Sequence, residues 1–203
     1  MYKIAVFFLI LINFTSVRAK LIAQSVAEVN SKHLTSRQVV LTALLSVCMK
    51  GPCKKTAAVS TKVKSDLFLS QLSKAIFERL AYFESIGVFE DYKPISKTQL
   101  SRVMNASISR GLQFNQQEVL KSHRIKMLAK KYIDFKDKNL SVYISNAEAK
   151  KHYLQKKAKY PSGKLKDHLA SIKKLLQEKQ KRRRVEDWVV NMQSKYKVKQ
   201  FIN

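Results

Sequence analysis

Residues 27–45 read AEVNSKHLTSRQVVLTALL. An apolar stretch breaks at Asn30-Ser31 and restarts behind Leu34 and Thr35 with helical spacing. Val26, Ala27 and Val29 suit a strand, and Asn30-Ser31 suits a turn. In LTSRQV, Thr35 is placed to accept from the first unpaired N–H groups of a helix. Gln38, three residues on, can reach back to the Thr35 N–H, and Leu34 and Val39 flank the pair as a hydrophobic staple. The spacing predicts a helix to about Met49, ended by Gly51-Pro52.

The same device recurs along the chain: Ser96 with Gln99, Asn115 with Glu118, and Ser145 with Glu148. Each satisfies N–H groups that a helix start leaves without partners, and each adjoins an apolar periodic segment. One match is weak; four predict a mostly α fold. Apolar spacing then predicts helices over about 65–85, 97–110, 116–133 and 146–157, with Gly87 and Gly111 as stops. Leu140 to Ile144 reads as a turn or extended link. Tyr160-Pro-Ser-Gly163 is a break. Beyond it lie two apolar stripes, Leu165-Leu169-Ile172-Leu176 and Val185-Trp188-Val189-Met192, on one long helix or two. The closing YKVKQFIN alternates as an edge strand does, and it can pair with the strand before Asn30, bringing the ends of the mature chain together.

The composition carries 40 Lys plus Arg against 14 Asp plus Glu, a formal charge of +26. That excess attracts polyanions without choosing among nucleic acid, anionic lipid and acidic protein. The N-terminus, MYKIAVFFLILINFTSVRAK, has a basic residue, an apolar run from Ile4 to Ile12 and small residues at Val17 and Ala19. This is the layout of a secretory signal peptide, and the run is too short to span a bilayer as a helix. The expected organisation is a signal peptide over 1–19, an N-terminal helical domain over 20–160, and a C-terminal long helix and strand over 161–203 that pack back on it. The periplasm is the expected location. An oxidising compartment permits a Cys48–Cys53 disulfide as a staple at a helix end; a redox pair and two free thiols are the alternatives.

Chemistry-bearing motifs are sparse. No glycine cluster forms a nucleotide loop, and no Gly-x-Ser-x-Gly appears. His33, His123, His152 and His168 show no ligand spacing, so no metal, cofactor or catalytic residue is expected. The sharpest basic run, KQKRRRV, offers Arg182, Arg183 and Arg184 as polyanion contacts or as a solvated helical face whose stems cover apolar neighbours. Met104, Met127 and Met192 could line adaptable grooves or fill the core.

The pattern VAEVNSKHLTSRQVV resembles the opening of SurA-like periplasmic chaperones, with Val26, Ala27, Val29, Asn30, Leu34 and Thr35 on matching positions. Ile86-Gly87-Val88 is similar to that family's Leu-Gly-Val turn, and Ser145, Glu148 and Tyr153 match its Val-Ser-x-x-Glu segment before a tyrosine. The tail from Leu165 through Trp188 to Ile202 resembles its final long helix and returning strand. Family members with all parts carry a parvulin-type prolyl isomerase domain between the helical parts; Gln155 to Lys164 leaves no room for one. The resemblance implies a SurA-like core that is not an enzyme. It implies a chaperone, ATP-independent, that holds unfolded or nascent exported proteins, outer-membrane proteins among them, on apolar helix faces. Leu44, Phe68, Phe83, Met104, Leu128 and Trp188 are the client-contact candidates. The alternative is an exported basic adaptor for nucleic acid or an anionic surface. A homodimer formed by exchange of the final helix also stays open.

Overall fold

The computed structural model describes residues 23–49, 51, 53, 59–140, 142–160 and 164–202. The expected signal peptide, Pro52 and the Pro161-to-Gly163 break lie outside the described residues. Among those described there are six α-helices, one 3-10 turn and three short strands.

Strand β1 (Ser25–Val29) turns at Asn30 and Ser31, both at positive φ (52° and 58°), into β2 (Lys32–Thr35). A two-residue turn with two left-handed residues matches the right-handed twist of its strands, and asparagine is among the few residues that accept that conformation readily. The pairing sets Ala27 against Leu34 and Val29 against Lys32, with an irregularity between Ser25 and Ala27. β2 was not expected from the sequence. Its four residues lie between the turn and the Thr35 cap, too few for a period to show. On the other edge of β1, β3 (Lys199–Gln200) pairs antiparallel, giving the order β2-β1-β3. The first and last described strands therefore meet in one sheet, held further by the Asn30 N–H to Tyr196 C=O and Phe201 N–H to Val26 C=O bonds.

Helix α1 (Ser36–Cys48) starts on the expected box: Thr35 Oγ1 accepts from the Gln38 N–H, and Gln38 Oε1 accepts from the Thr35 N–H at 3.1 Å. Ser96 opens α3 (Lys97–Ile108), Asn115 opens α4 (Gln116–Asn139) and Ser145 opens α5 (Asn146–Gln155) through the same reciprocal pair. Ser65 caps α2 (Asp66–Ser85). Gly87 and Gly111, at φ 84° and 69°, supply the left-handed residue after α2 and α3, and the Leu112 N–H reaches back to the Ser107 carbonyl. α4 runs six residues past the expected Ile133, because Tyr132 stays buried and Phe135 packs on Phe89.

The first core joins β1, α1 and α2, with Val26, Val40, Leu44, Phe68 and Leu80 fully buried. α2 packs along α4, where Ala81, Ala129 and Tyr132 form a smaller cluster. α6 (Leu165–Lys195) is one continuous helix of 31 residues. At about 100° per residue, the twenty residues from Ile172 to Met192 carry the side chain about 200° round the axis, so its two apolar stripes face opposite ways. Ile172 is buried in the half that meets α5, and Met192 is buried in the main core under α2.

Cys48 and Cys53 form a disulfide with Cα atoms 4.6 Å apart, which ties the end of α1 to the chain after Gly51. Closing so short a loop restricts the unfolded chain by about 2 kcal/mol. Cys48→Ser paired with Cys53→Ser should lower stability by about that amount. Urea unfolding of oxidised, reduced and double-serine chains checks it, with the reduced and serine chains expected to coincide.

Candidate functional site

Two clefts flank the outer side of α2. The first, about 380 Å³, lies between α2, the second half of α6 and β3. Its floor is Ile76 and Leu80, both buried; half-buried Phe77 and Val189 are its walls, and Ser73, Lys74, Gln193 and Gln200 form an exposed polar rim. Trp188 stands behind Phe77, edge-on at 5.7 Å between ring centroids, and also packs on Tyr132 at 6.0 Å. The second cleft, about 450 Å³, lies between α1, α2 and α4. Met49, Met127 and Ile133 give it half-buried apolar walls, and Lys74 and Lys130 are exposed at its edge. Lys74 borders both clefts, so they adjoin across one turn of α2.

Polar chemistry in the second cleft is committed to structure. The Lys126 ammonium donates to Ser46 Oγ at 2.7 Å and to Glu78 Oε1, and the Ser46 hydroxyl donates to the Thr42 carbonyl. Lysine is thus a donor to the serine, the reverse of a base that would activate it. His123, on the buried side of α4, is held below its ordinary pKa by burial and by the charge of Lys126. Among the described residues no group of three or more His, Cys, Asp or Glu side chains could hold a metal ion.

The walls of the first cleft depend on how α6 is seated. Glu84 of α2 accepts from Lys195 Nζ at 2.6 Å, Tyr196 Oη at 2.9 Å and Tyr132 Oη at 3.0 Å, joining α2, α4 and the end of α6. Burial alone would raise the Glu84 pKa; those three hydrogen bonds outweigh it and hold the carboxyl below its ordinary 4.5. At the opposite end of the bundle, the Arg37 guanidinium lies over Phe114 at 4.6 Å and makes a two-point contact with Glu118, at 2.8 and 2.9 Å. Glu118 also accepts from the Asn115 N–H, so one carboxylate ties α1 to the start of α4.

Of the six expected client contacts, four are buried. Leu44, Phe68 and Leu128 are at most 3% exposed and Phe83 is 8% exposed; they fill the core and offer a partner no surface. Apolar periodicity locates the buried side of a helix, and these residues lie at its centre. Met104 and Trp188 keep partial exposure, but in different places: Met104 lines a smaller cleft with Leu112 and Phe114, and Trp188 backs the first cleft. Of the three groove methionines, Met127 lines the second cleft, while Met192 is 2% exposed and belongs to the core. Met49, Phe77 and Ile133 were missed. Each sits at the edge of an apolar stripe rather than its middle, and that edge position was the available signal. Arg182, Arg183 and Arg184 are exposed on α6 but point about 100° apart in succession, so they fan round the helix instead of forming one patch.

A carboxylate held below its ordinary pKa stabilises the fold above its unfolded pKa, and that stabilisation is lost as pH falls through the folded value. Glu84→Gln should therefore cost about 1–2 kcal/mol at pH 7, and its difference from the parent chain should shrink below pH 4.5. Thermal melts of both chains between pH 3 and 7 check it; parallel curves over that range would overturn the assignment. Compared with known proteins, the chain matches no protein-family model, no curated protein and no solved structure.

Proposed function

We propose that this chain is an exported, ATP-independent chaperone with a SurA-like core, holding unfolded or partly folded proteins, outer-membrane proteins among them, by their apolar side chains. The observation that carries the reading is the pair of adjoining clefts on α2, each with apolar walls left half-open and a polar rim that includes Lys74. Met49 and Met127 are unbranched and polarisable, so that wall can adapt to side chains of different shape. The meeting of β1 and β3 and the four capping boxes support the family likeness drawn from the sequence. The Cys48–Cys53 disulfide supports export, since such bonds persist in oxidising compartments.

Burying one client side chain in each cleft contributes about 1.5–3 kcal/mol apiece, less the cost of ordering an unfolded segment. Binding of that strength is weak and reversible, and a client that folds withdraws its apolar side chains without any energy source. Lys74 and Lys130 at the rim favour clients with a carboxylate beside an apolar residue.

The purified chain should slow aggregation of an outer-membrane protein diluted from urea. Met127→Lys combined with Ile133→Lys should lose most of that protection while the melting temperature stays within a few degrees of the parent chain. Light scattering at several-fold excess of chaperone is the measurement. No protection by the parent chain at that excess, or equal protection by the double variant, counts against the proposal.

A further inference from the structure

α5 buries one side against α6 and turns the other to solvent. Ala147 and Leu154 lie within about 20° of each other along the middle of the outer side, with Lys150 and Lys151 about 50° to either side. Leu154 keeps 60% of its surface exposed, and Tyr143, just before the Ser145 cap, keeps 83%. Lys156, Lys157 and Lys159 follow, all exposed. The stretch 143–160 holds five lysines and one carboxylate, Glu148. Glu148 accepts from the Ser145 N–H and hydroxyl, both at 2.8 Å, so its carboxylate is turned along the cap. Other basic helices differ: α4 carries Asp134 and Asp137 among its lysines, and α6 carries Asp167, Glu178, Glu186 and Asp187.

We infer that the outer face of α5 is a docking surface for anionic phospholipid, with Leu154 and Tyr143 entering the headgroup layer and the flanking lysines reaching lipid phosphates. An apolar midline between lysines is the arrangement an interfacial helix needs: the four-carbon stems lie along apolar surface while the ammonium groups stay at the headgroups. Each lysine near an anionic bilayer raises partitioning about fivefold. Duplex nucleic acid would engage the same lysines but leave Leu154 in water, which favours the lipid surface. This inference stands apart from the chaperone proposal: aggregation assays and lipid binding can each fail without the other.

The test is sedimentation of the full chain with vesicles of phosphatidylcholine alone and of phosphatidylcholine mixed with phosphatidylglycerol. The apolar run at Ile4–Ile12 acts alike on both vesicles, so the preference for the charged vesicle is what is read. That preference should fall by more than about thirtyfold in Lys150→Glu/Lys151→Glu and steadily with added salt, while binding to the charged vesicle should fall several-fold in Leu154→Gln relative to the parent chain. Lys150→Gln/Lys151→Gln, expected to fall less, serves if the double reversal melts early. No preference for phosphatidylglycerol, a preference that the lysine variants leave unchanged, or undiminished binding of Leu154→Gln to the charged vesicle overturns the inference. Displacement by soluble glycerol phosphate at equal phosphate concentration overturns it in favour of a free-phosphate site. A short DNA duplex that binds as tightly as the vesicles and ignores Leu154→Gln overturns it in favour of nucleic acid.

Discussion

The apolar surface of α6 changes sides halfway along the helix, and the rest of the molecule is arranged around that change. A helix with one continuous stripe lies flat on a single core. α6 instead has Ile172 buried on the α5 side and, about 200° further round, Met192 buried under α2. It must be gripped from opposite sides, by α5 over its first half and by the main core over its second. The Glu84 carboxylate, with Lys195, Tyr196 and Tyr132 donating to it, fixes the second grip at its far end. β3 follows directly and closes the sheet against β1.

Both candidate surfaces are consequences of this arrangement. The second half of α6 meets α2 through Trp188, Val189 and Met192, and Phe77 is covered from one side only. That leaves the first cleft. Because α5 is held by α6, its outer side has no helix over it among the described residues, and Leu154 stays exposed at the middle of a lysine-flanked face. The second cleft has a different origin. α1 ends at Cys48, one half of the disulfide, while α2 and α4 continue past it. Met49, Met127 and Ile133 line the step that results.

Much of the fold was legible because capping is local. Thr35, Ser96, Asn115 and Ser145 each lie three residues before a glutamine or glutamate, and each of the four helix starts falls where that spacing puts it. The turn at Asn30 was legible for the same reason, since it depends on two adjacent residues, Asn30 and Ser31, taking positive φ. β2 was not, because four residues beside a cap carry no period of their own. The tail of α4 was hidden by its composition: DFKDKN reads as polar, and it stays helical because Tyr132 and Phe135 pack on Phe89 from a distant segment. The candidate site was the least legible part. Periodicity picked Leu44, Phe68 and Leu128, the centres of apolar faces, whereas cleft walls are made by residues at the margins of those faces, such as Phe77 and Met49. Which margin stays open depends on how far neighbouring helices reach, and that is a property of packing between segments remote in sequence.

The charge imbalance takes on a definite shape once the carboxylates are placed. Glu78, Glu84, Glu118 and Asp137 each join two helices through a lysine or arginine partner, and Glu28 faces Lys199 across the sheet. Glu148 and Asp167 accept from the backbone N–H at the starts of α5 and α6. With 14 acidic side chains against 40 basic ones, acids in these places are used to fasten junctions, and the basic excess is left on open surface. Exposed like charges repel and add nothing to the fold. Their distribution therefore bears on partners rather than on stability. On α4 the cations outnumber Glu118, Asp134 and Asp137, and exposed charge there is screened beyond a Debye length of about 8 Å. Where lysines flank exposed Leu154, as on α5, charge and apolar area act on the same contact. A partner that offers both negative charge and a place for an apolar side chain gains from both terms at once, and one that offers charge alone does not.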